Sequence, residues 1–356
     1  MSRNIKSCCS RWVERGLALL LGAALLTGPA GCAPARGKEP DTLRLGVAVY
    51  SQDDTFIASV TQELERMVRD VEVAQGRKIN ISVVDGANNQ TTQMEQVDRF
   101  LSRDYDILLV NIVDRTAAAV LIDKAEAAEV PVIFFNRQPV AEDIDYRERV
   151  YYVGARAEES GALQGQLVLD VWLDGQLALD RNGDGVLQYV MLEGEPGHQD
   201  SLLRTEWSVK TLTNAGVEVE KLASDAANWN RGQASAKMGQ WLKEFGTSIE
   251  VVFSNNDDMA LGAIDAILAA DGPSPLVVGV DGTAPALEAV ASGTLYGTVL
   301  NNGKGMAQAM LDLALALAAG EDPGQAVDLQ DGHYVWLPYQ KIDRTNLEQF
   351  LPQNGR

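Results

Sequence analysis

Cysteine is nearly missing from this chain. Its three cysteines, Cys8, Cys9 and Cys32, sit at the N-terminus, and none follows Cys32. The body therefore has no disulfide framework and no cysteine-ligated zinc site. Basic residues are also scarce: 30 Lys and Arg face 50 Asp and Glu, a formal charge of −20. Without a basic surplus there is little to displace counterions from a nucleic acid, so that class of partner is set aside. The apolar run at 16–27 is too short to span a bilayer as a permanent helix. Nucleotide and hydrolase motifs are missing too. Gly303-Lys304-Gly305 lacks the Ser or Thr of a phosphate loop, and there is no GxSxG elbow and no HExxH pair.

What is present begins with an export signal at 1–31. Arg3, Lys6, Arg11 and Arg15 supply its positive start, and the apolar run follows. Pro29-Ala30-Gly31-Cys32 then places small residues before a cysteine, as in a bacterial lipobox whose Cys32 is lipidated; Pro29 stands where that motif usually has Leu. The alternative is ordinary signal-peptidase cleavage and release. A lone cysteine at the cleavage point is best explained as an anchor, with 32–42, rich in Pro, Gly and charge, as a tether. The expected location is outside the cytoplasm, on a membrane and facing the periplasm or exterior.

At 356 residues the chain exceeds the size at which one core stops growing, so two domains are expected. Short β-branched runs at 44–50, 79–85, 107–113 and 130–136 alternate with amphipathic stretches at 56–70, 91–101 and 117–128. Continuous apolar strands between helices indicate a parallel sheet covered on both faces. After Tyr151-Tyr152-Val153-Gly154 the rhythm starts again. Strands are expected at 188–193, 217–222, 250–255, 276–281 and 294–301, and helices at 161–172, 202–215, 231–245, 258–270 and 304–319. Residues 69–78 read as a surface loop. Two α/β lobes of similar build, with no obvious sequence repeat, would enclose a cleft at the carboxyl ends of their strands.

Those strand ends are polar: Asp53-Asp54 after Tyr50, then Asn136, Asn255-Asn256-Asp257, Asp281 and Asn301. A single Asn there is usually a helix cap or turn residue. Five such ends suggest a site for a ligand with many hydroxyls. Asp54, Asp200 and Asp281 can accept hydrogen bonds, Arg204 can donate, and Asn136, Asn256 and Asn301 can do both. Phe56 and Trp229 offer aromatic faces, and His198 stands beside Asp200 at the start of a helix.

One more motif stands out. From Asp180 as position 1, Asp180, Asn182, Asp184 and Gln188 fall at positions 1, 3, 5 and 9, with Gly185 at position 6 and the carbonyl of Val186 at 7. These are the first nine positions of an EF-hand calcium loop. Position 12 is Met191 rather than a bidentate Glu, so a carboxylate from elsewhere must complete the shell. A structural calcium loop inside a larger domain fits, and a solvated Asp/Asn/Gly turn is the competing reading.

Taken together, VAVYSQDDTF (47–56), VPVIFFNRQP (130–139), YYVG (151–154), DRNGDGVLQYVMLEGEPGHQDSLLR (180–204), VFSNNDDMA (252–260), VGVD (278–281) and GTVLN (297–301) resemble the bacterial periplasmic glucose/galactose-binding proteins. Those are sugar-binding subunits of ABC importers that also feed chemotaxis. The resemblance runs from about Leu43 to Leu351 and implies the type I periplasmic binding protein fold: two doubly wound parallel-sheet α/β lobes. Their boundaries would be 43–154 plus 301–336 and 155–300 plus 337–356. Three crossings, near Gly154–Arg156, Leu300–Asn301 and Trp336–Pro338, would form the hinge. It places sugar contacts on Asp54, Phe56, Asn136, His198, Asp200, Arg204, Trp229, Asn256, Asp281 and Asn301. It places calcium on Asp180, Asn182, Asp184, the Val186 carbonyl and Gln188, with Glu250 as the missing carboxylate.

The resemblance thus implies a monomeric binding protein for D-glucose or D-galactose that closes on its ligand and then meets a membrane permease. A sensory subunit for a chemoreceptor or membrane kinase would bind the same sugar. A sugar-active enzyme using Asp54 and Asp281 as paired carboxylates is the rival class, without an acid–base signature to support it. A transcription repressor of this build would need a basic headpiece and no export signal.

Overall fold

The computed structural model describes residues 42–175, 179–270 and 272–351. Cys32 and the signal segment 1–31 lie outside them. In chain order, the first lobe comprises β1 (Leu43–Val49), α1 (Thr55–Gln75), β2 (Ile79–Asp85), α2 (Gln90–Leu101), β3 (Ile107–Val110), α3 (Ala118–Ala127), β4 (Val132–Phe135), the short α4 (Ala141–Asp145) and β5 (Val150–Gly154). The second comprises α5 (Ala157–Asp174), β6 (Val186–Glu193), α6 (Gln199–Asn214), β7 (Glu218–Ala226) and α7 (Arg231–Phe245). It continues through β8 (Val251–Ser254), α8 (Asp257–Leu268), β9 (Leu276–Val278), α9 (Ala284–Ser292) and β10 (Gly297–Leu300). The chain then supplies α10 (Gly303–Ala319), α11 (Pro323–Ala326), β11 (Tyr334–Trp336) and β12 (Gln340–Asp343).

The two sheets share one strand order: β2-β1-β3-β4-β5 with β11 on the edge, and β7-β6-β8-β9-β10 with β12 on the edge. The strands pair in parallel except β12, which runs antiparallel to β10. In each sheet the order reverses once, between β1 and β3 and between β6 and β8. The crevice outside the carboxyl ends at such a switch point is where open α/β sheets hold ligands.

Why the strands read as unbroken apolar runs is visible in β3. Ile107 and Leu109 face α1 and α10, while Leu108 and Val110 face α2 and α3. With helices on both faces, every position is buried, and each such side chain contributes roughly 1.5–3 kcal/mol by leaving water. The strand ends at Val110 rather than continuing to 113, because the buried Asn111 turns its side chain across to Phe135 O (3.0 Å) and Asn136 Oδ1 (3.2 Å).

Residues 69–75 are not the surface loop expected from sequence. They form the last two turns of α1, which keeps Val71 against the core and uses Glu72 Oε1 to accept the Ile79 N–H at 2.9 Å. Gly76, at φ 65°, provides the left-handed residue that stops the helix. The sequence reading assigned no elements to α4, α9, α11, β11 or β12. The last two are short edge strands whose pairing comes from the sheets they join.

Candidate functional site

Helix caps place several of the polar side chains. Asp54 precedes α1 in an extended conformation and caps it, its Oδ1 accepting the Ile57 N–H at 2.8 Å. Its Oδ2 accepts from the Tyr50 hydroxyl. Asn256 caps α8 in the same way through the Met259 N–H (2.9 Å), and His198 caps α6, its Nδ1 accepting the Asp200 N–H at 3.1 Å. Capping and site-lining are therefore two uses of the same residues.

These caps converge on a small cavity between the lobes. Its wall includes Asp54, Phe56 and Asn136 from the first lobe. From the second come His198, Asp200, Arg204, Trp229, Asn256 and Asp281. Asn301 is not part of that wall; it is buried next to Asp281, whose carbonyl accepts its N–H at 3.1 Å. Three residues not assigned to the site from sequence also line the cavity: Tyr50, Ile57 and Arg137. Tyr50 follows β1 and Arg137 follows Asn136, so position at a strand end was the available signal.

Arg204 organises the second-lobe side. It donates to Asn255 O at 2.8 Å, Asp200 Oδ2 at 3.2 Å and the Tyr339 hydroxyl at 3.2 Å, and lies 3.7 Å from Asp281. Its buried Nε has no partner, and neither has the buried Asn301 Oδ1. Burial works against the charge on Arg204, but Tyr339, Asp200 and Asp281 together raise its pKa above the usual guanidinium value. Burial pushes Asp200 and Asp281 up, outweighing the opposing pull of Arg204 on both. The geometry is that of two carboxyl groups arranged about one guanidinium. Burial, then Arg137, Arg204 and Arg115, hold His198 well below the ordinary imidazole pKa. A neutral ring whose Nδ1 accepts from backbone carries its proton on Nε2.

Three of the nine non-glycine residues with positive φ among the described residues line this cavity. Asn136 (φ 59°), Trp229 (φ 60°) and Asp281 (φ 128°) all adopt positive φ, a cost that persists where surrounding structure over-determines it. The Trp229 indole lies edge-on to His198, with centroids 5.2 Å apart, and it fills the space that a side chain on Gly194 would need. The lobes are closed over the cavity. Thr55 Oγ1 donates to Asp258 Oδ2 at 2.6 Å, and Arg137 pairs with Glu195 at 2.8 Å.

The loop at 180–188 lies elsewhere in the second lobe. Asp180 Oδ1 accepts the Gly183 N–H (2.7 Å) and Oδ2 the Gly185 N–H (2.9 Å). Asn182 Oδ1 accepts the Asp184 N–H at 2.9 Å, and Asp184 Oδ1 the Val186 N–H at 2.8 Å. Glu250, almost fully buried, accepts the Arg181 N–H at 2.5 Å and the Gln188 N–H at 2.9 Å, tying β8 to this loop. Among the described residues no three His, Cys, Asp or Glu side chains converge as a metal-ligand set. The wider donor set nonetheless suits a hard cation, because amide and carbonyl oxygens count as well. The buried Gln188 Oε1 has no partner. Burial raises the pKa of Glu250 against its two N–H donors, and the nearby charges of Asp180 and Asp184 raise it further.

Residues 45–322 match the periplasmic binding protein domain family. The D-galactose/methyl-galactoside binding periplasmic protein of Haemophilus influenzae is 38% identical over 311 residues, covering 86% of this chain and 92% of that protein. The xylitol-binding protein of Mycolicibacterium smegmatis is 30% identical, covering 79% of this chain and 74% of that protein. An ABC transporter solute-binding protein of Bacillus halodurans, solved with bound myo-inositol, superposes with a TM-score of 0.71 at 28% identity. The match covers 86% of this chain and 96% of that one.

Proposed function

This chain belongs to the periplasmic binding protein family, whose members are solute-binding proteins and not enzymes, and we propose that it is the exported receptor of a sugar ABC importer for D-glucose or D-galactose. The observation that carries the choice of a polyhydroxylated ring is the polar wall of the cavity, where Asp54, Asn136, Asp200, Arg204, Asn256 and Asp281 stand together. A hydroxyl can both donate and accept, so a sugar satisfies donors and acceptors with the same groups. Phe56 and Trp229 supply apolar surface for its C–H faces. An analogue lacking a hydroxyl leaves a buried group unpaired, at about 1–3 kcal/mol. The relatives named above, one for galactose and its methyl glycoside, one for xylitol and one holding myo-inositol, support that ligand class.

Closure follows from the division of the wall between lobes. A sugar resting on Asp54, Phe56 and Asn136 gains His198, Asp200, Arg204, Trp229, Asn256 and Asp281 only when the lobes meet. That differential contact is what shifts the equilibrium. The protein acts as a monomer in this reading, and its closed form is what the permease recognises. Calorimetric titration with D-glucose, D-galactose, xylitol and myo-inositol tests the assignment. One of the hexoses should bind most tightly, and Asp281→Ala should weaken it by about tenfold or more. Tighter binding of xylitol or myo-inositol would transfer the assignment, and heat from none of the four would remove it.

Calcium is proposed for the 180–188 loop, held by Asp180, Asn182, Asp184, the Val186 carbonyl, Gln188 and Glu250. Its part would be structural, neutralising carboxylates that otherwise repel. Lipidation of Cys32 rests on the Pro29-Ala30-Gly31-Cys32 sequence. Radiolabelled palmitate should mark the wild type in a bacterial host and not Cys32→Ser; label retained by the variant would favour simple cleavage. Among the described residues no helix is long and apolar enough to cross a membrane.

A further inference from the structure

Asn111 does not line the sugar cavity, yet it holds a residue that does. It follows β3 and is fully buried, and its Nδ2 donates to Phe135 O at 3.0 Å and to Asn136 Oδ1 at 3.2 Å. A backbone carbonyl only accepts, so the Asn111 atom facing Phe135 O is the nitrogen. The Asn136 atom facing that nitrogen is then the oxygen, which leaves the Asn136 Nδ2 for the cavity. Asn111 Oδ1 faces the Tyr50 N–H at 3.5 Å, in agreement with this orientation.

Asn111 is itself pinned. Its N–H donates to Ala48 O at 2.9 Å, and its carbonyl accepts from Gln93 Nε2 of α2, also at 2.9 Å. Gln93 Oε1 in turn accepts the Val113 N–H at 2.9 Å. The backbone of Asn136 is tied at both ends. Its N–H donates to Val153 O at 3.0 Å, and its carbonyl accepts from the Tyr152 hydroxyl at 2.8 Å. With φ at 59°, the side-chain amide is the freedom left to it. On the second lobe, Asn256 has its oxygen taken by the Met259 N–H at the start of α8. No helix starts at Asn136, since α4 begins at Ala141, so Asn111 does there what a helix N–H does for Asn256.

We propose that Asn111 is a positioning residue, which makes Asn136 a one-way hydrogen-bond donor to the ligand. A hydroxyl at that point of the cavity must accept, and its own proton goes to another partner. An amide without this hold would turn its oxygen to the ligand as well, and ordering it on binding costs affinity. The effect is on a group that touches sugar, through one that does not. This inference rests on the hexose reading of the cavity.

The test is a double-mutant cycle by calorimetry on the exported protein with D-glucose and D-galactose. Asn111→Leu, close in volume and without a donor, should weaken the better sugar about fivefold or more in the wild-type background. In an Asn136→Ala background the same change should cost less than about twofold, because the group it orients is gone. An equal loss in both backgrounds makes Asn111 a packing residue only and overturns the proposal, as does no loss in either. Asn136→Asp covers the case in which Asn111→Leu folds poorly. Aspartate keeps one oxygen for Asn111 and turns the other to the ligand in place of the nitrogen, so it should bind sugar no better than Asn136→Ala. Wild-type affinity in Asn136→Asp would mean that no donor is needed there, and the proposal falls. Heat from neither sugar with the wild type overturns the hexose reading itself, and this assignment with it.

Discussion

Arg137 of the first lobe and Glu195 of the second form an ion pair at 2.8 Å, with side chains only 6% and 28% exposed. Arg137 is fixed on its own lobe before it reaches across. Its guanidinium lies 3.5 Å over the Tyr50 ring and donates to Val113 O at 3.2 Å. Tyr50 in turn donates to Asp54. A charge on the second lobe is thereby linked, through the two side chains of Arg137 and Tyr50, to a carboxylate of the sugar cavity.

Because the pair exists only with the lobes together, it stabilises the closed form alone. Glu195→Gln should therefore weaken sugar binding by about tenfold, the size expected for a largely desolvated charge pair. It should also raise the fraction of open molecules seen by small-angle scattering. Unchanged affinity and unchanged scattering would show that Thr55–Asp258 and the ligand contacts close the cleft unaided.

Gly194 tests the aromatic wall. A Cβ there would fall 2.1 Å from the Trp229 ring, so even alanine must displace the indole. Trp229 has little freedom to yield, held at φ 60° with its carbonyl accepting from Asn256 Nδ2 at 3.4 Å. Gly194→Ala should reduce sugar affinity by roughly tenfold or more through lost apolar contact, with a matching change in tryptophan fluorescence. Wild-type affinity together with an unshifted spectrum would remove Trp229 from the site.

The loop at 180–188 predicts a stability difference that depends on the cation. With calcium present, Glu250→Gln should lower the melting temperature, because a bidentate carboxylate becomes a neutral amide. In chelator the change should be much smaller, since burial and the charges of Asp180 and Asp184 already disfavour the ionised Glu250. Equal losses in both conditions would mean that Glu250 holds the loop through the Arg181 and Gln188 N–H groups and is not a ligand.

His198 predicts a pH dependence with a definite sign. Its folded pKa lies well below 6.5, chiefly through burial. Above pH 6.5 both folded and unfolded forms are neutral, and the residue contributes no slope. As pH falls below 6.5 the unfolded chain takes up a proton that the folded protein refuses, so stability drops by at most about 1.4 kcal/mol per pH unit. The raised carboxylates Asp200 and Asp281 act in the opposite sense, so the comparison must be with His198→Gln. Thermal melts from pH 7 to 5 should show wild type losing stability relative to the variant. Parallel curves would mean that the ring titrates freely.

The amino-acid order by itself determined the parts that depend on neighbours in the chain. The apolar run at 107–113 read as a strand buried on both faces, and its 107–110 part is one. Asp54 and Asn256 were marked as polar residues at strand ends and His198 at the start of a helix, and the spacing of Asp180, Asn182, Asp184 and Gln188 marked a loop before any partner was known. The boundary misread at 69–78 shows where local signals fail. Asp70, Glu72 and Gly76 look like a loop until Val71 is seen to pack on the core and Glu72 to hold the start of β2.

Tertiary structure alone decided which of the marked residues act together. Nothing in the sequence assigned Tyr50 or Arg137 to the site, yet both line the cavity. Glu195 lies 58 positions from the Arg137 it pairs with. Arg204, Asn255 and Tyr339 meet across separations of 51 and 135 residues. No periodicity encodes such meetings. They arise because two sheets of the same strand order turn their switch points toward one another, and a side chain's partner is then set by distance in space.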